Sequence, residues 1–208
     1  MKLKYALKHY KNKILATSLS GLALGIYLAY HIIMAVSLGA AYFDFRTIWN
    51  AVLTIIAYAI IFFCNIRNDN FAYTGILMFV FFVTFDHIYS IFVSNFSIPQ
   101  IFADGDGALV TTFLLTMAGN VALVVSGILL YIWVRRYMVG LMADFRKIRL
   151  FGIAFAGILF ISVAVEVTFM ILAGIFVPGL LWTMFAVPVS EVVMALAIIF
   201  TLERLRRI

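Results

Sequence analysis

The chain has 208 residues, of which 66% are hydrophobic and 12% charged, with a mean hydropathy of +1.14. A soluble domain of this size needs far fewer apolar side chains, and a single cysteine, Cys64, excludes an internal disulfide. The net charge of +6 does not point to nucleic acid, because most lysines and arginines flank apolar runs, where they report membrane orientation and contact with anionic lipid.

The first thirteen residues carry Lys2, Lys4, Lys8, Lys11 and Lys13 and resemble the basic start of a signal peptide. The apolar stretch that follows runs on to about Leu38, longer than a signal-peptide core, and no polar cleavage segment follows it, so an uncleaved first helix over about 14–38 is expected. It holds Gly21, Gly25 and Ala29 at four-residue spacing, a small-residue stripe suited to close helix packing. A short connection with Asp44 and Arg46 leads to helix 2, about 48–63. Cys64 to Asn70 reads as a tight polar turn, and helix 3 follows at about 71–93.

The next connection holds Pro99 and Asp104-Gly-Asp-Gly107, a turn-forming sequence too short to be an EF-hand loop. Helix 4 is expected at about 108–134. Residues 135–149 are basic, with Arg135, Arg136, Arg146, Lys147 and Arg149, and they place Met138, Leu141, Met142, Phe145 and Ile148 on one helical face. That pattern predicts a short amphipathic segment lying along the headgroups. Helix 5, about 150–175, ends at a Pro178-Gly179 turn, and helix 6, about 180–202, carries Pro188. Each apolar run is about the twenty residues that cross a bilayer. The fold class is therefore an all-α integral membrane protein with six transmembrane helices in one domain over 1–208, a multi-pass protein of the cell membrane.

Six spans put fourteen of the fifteen Lys and Arg residues on one side, leaving only Arg46 on the other. By the positive-inside rule both termini are cytoplasmic; five or seven spans would spoil this sorting.

Helix 3 carries Asp86-His87 within its apolar run. A carboxylate in hydrocarbon is costly and marks a site by default. With about 1.5 Å of rise per residue, His31, Asp86, His87 and Glu166 fall in the outer half of their helices. Asn120 and Glu191 fall near the middle of theirs. These six are the candidate substrate-binding residues. The acids have no lysine or arginine at their depth, so a cavity they line suits a cation, a proton or a polar cationic solute. Two histidines and two carboxylates also permit a divalent metal, and His31 with His87 permits a b-type haem. A third reading makes these groups interhelical hydrogen bonds only.

No Gly-x-Ser-x-Gly, His-Glu-x-x-His, Walker A, Cys-x-x-Cys or potassium-filter sequence is present. The leading expectation is a transport protein, or the substrate-binding membrane subunit of one, that takes a small polar or cationic solute from the outer side without a resident cofactor. The alternatives are a membrane enzyme or redox subunit built on His31, Asp86 and His87, and an accessory subunit with no site of its own. Beyond the lipid bilayer, a coupling subunit is the expected partner, through Gly21, Gly25 and Ala29 and the basic segment 135–149.

In size, span number, inferred cytoplasmic termini and the Gly21, Gly25, Ala29 stripe, the chain resembles the substrate-binding subunits of energy-coupling-factor transporters. The resemblance is one of architecture. It implies that the first helix docks a coupling protein and that the pocket opens outward.

Overall fold

The computed structural model describes residues 2–42, 45–95, 107–140, 145–172 and 181–205. All of the regular structure among them is helical. The elements are α1 (Lys2–Leu38), a 3-10 turn (Gly39–Tyr42), α2 (Phe45–Arg67), α3 (Ala72–Asn95), α4 (Gly107–Met138), α5 (Phe145–Leu172) and α6 (Leu181–Leu205). Each of the six helices holds a stretch long and apolar enough to span a membrane. The protein is an all-α, multi-pass membrane protein.

Several helices are longer than their apolar runs. α1 takes in the basic N-terminal residues from Lys2, and α4 continues through Arg135 and Arg136 to Met138. Charged side chains at a helix end reach the interface without ending the helix, since backbone hydrogen bonding continues past the hydrocarbon boundary. The basic segment 135–149 is accordingly divided. Its first four residues close α4, its last five open α5, and residues 141–144 lie outside the described residues. Phe145 and Ile148, expected on a headgroup face, are buried in the core instead. The turns expected at 94–107 and 176–179 lie mostly or wholly outside the described residues, as do Asp104 and Asp106.

The helices pack as a ring in chain order, each against the next, and the most extensive contact of all closes the ring between α1 and α6. Small residues permit the close seams. Gly75 on α3 lies so near α2 that a Cβ there would meet the Ala57 carbonyl at 3.0 Å and Ile61 at 2.9 Å. Gly127 on α4 lies directly against Thr84 of α3. In the stripe on α1, Gly21 packs against Phe62 of α2, whereas Gly25 faces open space. An aromatic column fills the middle of the ring: Tyr27 against Tyr58 (5.3 Å between ring centres), Tyr58 against Phe79 (5.6 Å) and Phe79 against Phe155 (6.3 Å). The last three of these four rings are almost completely buried.

One end of the ring gathers the basic residues. The α2–α3 turn is drawn to the C-terminal end of α6 by Arg204, whose Nη1 donates to Asn68 Oδ1 (2.6 Å) and whose Nη2 donates to the Asp69 carbonyl (3.1 Å). Asn68 adopts the left-handed conformation (φ 62°) that this tight turn needs. Asp69 Oδ1 accepts from the Phe71 amide at 2.9 Å, satisfying a donor at the start of α3. Asn65 donates to Thr201 Oγ1 at 2.9 Å one turn deeper. Arg149 pairs with Glu203 at 3.6 Å, tying α5 to α6 at the same end.

Candidate functional site

The candidate residues lie about 10 to 20 Å along their helices from the ends opposite this basic one. At about 1.5 Å per residue, His31 lies about 10 Å from the end of α1, Asp86 about 14 Å from the end of α3, and Glu191 about 15 Å from the start of α6. Asn120 lies about 20 Å into α4 from the same end. This placement does not bring the residues into one cluster. They divide by the direction in which each helix turns them.

His31 and Glu191 belong to a polar group inside the ring between α1, α2 and α6. Gly39, with φ 55°, turns the chain after α1 and so brings Tyr42 back onto His31, where its hydroxyl meets the His31 Nδ1. The imidazole packs on Tyr27 (4.4 Å) and Tyr30 (5.1 Å), and its buried Nε2 has no hydrogen-bond partner among the described residues. Tyr27 shares a hydrogen bond with Thr54 and lies within electrostatic reach of Glu191, Tyr42 and Asp86. Tyr58 meets Ser190 Oγ at 3.4 Å. Ser190 gives its own proton to the Val187 carbonyl (2.7 Å), so the phenol is the donor to Ser190.

His87 takes another course. Successive residues on a helix are about 100° apart, and His87 follows the buried face of Ile76, Phe79, Val80 and Val83. Its Nδ1 lies 2.8 Å from Oδ1 of Asn120 on α4, so two of the six candidates form one partly buried pair joining α3 to α4. With the carboxamide oxygen as acceptor, Nδ1–H is the donor.

Asp86 turns the other way, into a cavity of about 350 Å³ at the seam of α2 and α3. Trp49, Asn50 and Leu53 line it from α2, and Phe81, Phe82, Phe85, Asp86 and Tyr89 from α3. None of these eight is basic. The cavity lies in the half of the molecule away from the basic end and is of a size that holds small organic ligands. Arg46 opens α2 one turn before Asn50; its side chain lies outside the described residues.

Glu166 is on α5, about 9 Å from its end by the same rise, and its side chain lies outside the described residues. Among the described residues no three His, Cys, Asp or Glu side chains gather as a metal site. The two histidines direct their Nδ1 atoms to different partners, Tyr42 and Asn120.

The aromatic wall around Asp86 was not among the sequence candidates. Its signal is nonetheless present: Phe81, Phe85 and Tyr89 recur every four residues, on the side of α3 away from Phe79, Val80 and Val83. That Trp49 and Asn50 complete the wall depends on α2 lying beside α3, which no local pattern reveals. The likeness to the substrate-binding subunits of energy-coupling-factor transporters extends to span number and the α1 glycines only. The chain matches no known protein family, and no curated protein or solved structure is similar to it.

Proposed function

We propose that the protein is a membrane transport protein, or the substrate-binding membrane subunit of a transporter, that takes up a small polar or cationic solute from the outer side of the cell membrane at Asp86. The observation that carries this reading is a carboxylate set at membrane depth in a cavity of about 350 Å³, with no lysine or arginine among its described lining residues. An acid at that depth marks a functional site by default, and a carboxylate suits a cation or a proton. Orientation follows from the basic residues gathered at the α2–α3 turn, the α4–α5 connection and the end of α6. By the positive-inside rule that end and both termini are cytoplasmic, which turns Asp86 outward.

Passage across the membrane requires the aromatic column inside the ring to open. α6 has a built-in weak point for such a motion. Pro188 lies inside the helix and removes one backbone hydrogen bond, three residues before Glu191. Tyr27 is within electrostatic reach of both Glu191 on that helix and Asp86 in the cavity. Energy for uptake comes from an ion gradient or a coupling subunit. Gly21 is already occupied by Phe62, so of the α1 glycines only Gly25 offers a coupling subunit an open face, with the exposed Arg135, Arg136 and Arg146 at the cytoplasmic end as a second contact.

The test is uptake of radiolabelled choline, methylamine and tetraphenylphosphonium into proteoliposomes of the purified protein. Asp86→Asn abolishes uptake of the transported cation, and Glu191→Gln slows it, with expression and thermal midpoint kept. Uptake of the same cation by Asp86→Asn at the native rate removes the reading.

A further inference from the structure

We infer that the cytoplasmic mouth of the α4–α5 seam binds one anionic phospholipid, its phosphate held by Arg136 and Lys147 at Trp133 and an acyl chain laid along α5. The inference does not depend on the cation reading of Asp86. The first support is convergence. Arg136 stands one turn after Trp133 on α4, and its guanidinium carbon lies 5.6 Å from the centre of the indole ring. Lys147 comes from α5, and its Nζ lies 4.5 Å from the same ring. Two cations from two helices are thus gathered at one side chain. The indole attracts each of them through its π system but carries no charge to cancel theirs. Arg149, two residues on, differs, because it pairs with Glu203 on α6 at 3.6 Å. No carboxylate among the described residues pairs with Arg136 or Lys147. Both side chains are exposed and long, so each reaches a phosphate at the rim of the ring. A phosphate accepts from a guanidinium and an ammonium at once.

The second support is depth. Trp133 lies where the apolar run of α4 meets its basic end, the level at which indoles sit among headgroups. The phosphates of the inner leaflet lie at the same level. Basic pockets between helices on the cytoplasmic side suit anionic headgroups, and that leaflet carries the anionic lipid. A zwitterionic choline lipid has the same phosphate, but it sets a quaternary ammonium beside the two cations.

The third support is a seat for the chain. Leu150, one turn deeper than Lys147, is 63% exposed. Ala154 and Gly157 follow it on the same side of α5, at spacings of four and three residues. A Cβ at Gly157 meets nothing within 4 Å. Two small residues beneath a large apolar one leave a shallow trough open to the bilayer. From Lys147 to Gly157 the helix rises about 15 Å, about half the hydrocarbon core and so the depth of one leaflet. A free phosphate uses only the upper part of this arrangement, whereas a phospholipid uses both parts.

The experiment is quenching of tryptophan fluorescence in the full chain, reconstituted into phosphatidylcholine vesicles that contain a minor share of lipid brominated on its acyl chains. Brominated phosphatidylglycerol is expected to quench at about five- to thirtyfold lower mole fraction than brominated phosphatidylcholine, the effect of one to two cations on an anionic lipid. The double variant Arg136→Gln/Lys147→Gln is expected to lower that preference about fivefold or more, with its helical circular dichroism kept. Trp133→Phe removes the part of the quenching that is specific to phosphatidylglycerol. Inorganic phosphate at millimolar concentration does not relieve it. Equal quenching by the two lipids on the native chain, a comparison that needs no variant to fold, overturns the inference. So does a preference that survives the double variant undiminished, which would belong to the basic end at large. Quenching specific to phosphatidylglycerol that persists in Trp133→Phe places the lipid at another tryptophan and overturns it as well. Relief by inorganic phosphate makes this a site for a soluble anion, and the lipid assignment falls.

Discussion

The two ends of the helix ring use aromatic side chains in opposite ways. At the basic end Trp133 is flanked by the chain's own cations, Arg136 and Lys147, and Arg204 is held by Asn68 and the Asp69 carbonyl. Charge and partner are both supplied from within. In the other half, Trp49, Phe81, Phe82, Phe85 and Tyr89 surround a carboxylate in a cavity with no basic residue among its eight described lining residues. The first arrangement holds helices together. The second sets an acid among aromatic rings in a cavity, which is the place where a bound solute is proposed. Substitutions at the basic end should therefore move stability and leave cation binding alone, and those at the groove should do the reverse.

The largest effect on stability is expected from Arg204→Ala. It removes two hydrogen bonds made by a buried charged group and releases the α2–α3 turn from the end of α6. Each such bond contributes about 1.5 kcal/mol or more, so a loss of about 3 kcal/mol is expected. It would appear as a lower thermal midpoint in detergent, with cation affinity unchanged in the folded fraction. An unchanged midpoint would mean that water satisfies the Asn68 and Asp69 oxygens as well as Arg204 does, and the contrast between the two ends would lose its structural half.

Next in size is Gly75→Ala. The added Cβ meets the backbone carbonyl of Ala57, which cannot move aside as a flexible side chain can. Overpacking of this kind costs about 1–3 kcal/mol. Gly75 lies in the first turn of α3, near the Arg204 clamp and about 16 Å along the helix from Asp86, so binding should again be spared. Thermal midpoint and affinity for the transported cation, measured on the same preparation, separate the two quantities.

The architecture was largely legible in the sequence because span length and hydropathy are local properties. The six helices appear where apolar runs of about twenty residues stand, with ends displaced mainly where basic residues extend them, as at Lys2 and Arg136. Position along a helix can be counted directly in the sequence. Azimuth was only half legible. Asp86 and His87 are adjacent at one depth, yet one faces the α2 seam and the other Asn120, and a helical projection of α3 separates them. What no projection supplies is the neighbour. The Asn65–Thr201 and Arg204–Asn68 bonds each join residues 136 apart, and they exist because α6 returns to close the ring. Arg204 therefore reads in sequence as one more cytoplasmic flanking charge, although in the fold it is 4% exposed.

A smaller effect is expected at the His87–Asn120 pair. Hydrogen bonds between membrane helices average about 0.6 kcal/mol in double-mutant cycles, because the separated helices find other partners. His87→Phe and Asn120→Leu should each cost about 1 kcal/mol, and the double variant should cost less than their sum. Full additivity would show that the 2.8 Å contact contributes nothing. A loss of cation binding in either single variant would enlarge the functional region beyond the groove to the α3–α4 seam.

The smallest effect separates packing from docking on α1. A Cβ at Gly25 meets nothing within 4 Å, whereas one at Gly21 meets Phe62 at 2.8 Å. Gly25→Ala should therefore leave the thermal midpoint of the isolated protein within about 0.5 kcal/mol of native stability. If a coupling subunit packs its own helix against this face, larger substitutions have a cost that the isolated protein does not register. Gly25→Leu would then keep its stability and its cation affinity in micelles and lose uptake in cells that supply the subunit. Native uptake by Gly25→Leu in such cells would assign the small-residue stripe wholly to the α1–α2 seam. The protein would then lack a docking site on α1, and the exposed arginines at the basic end would be the remaining candidate for a coupling contact.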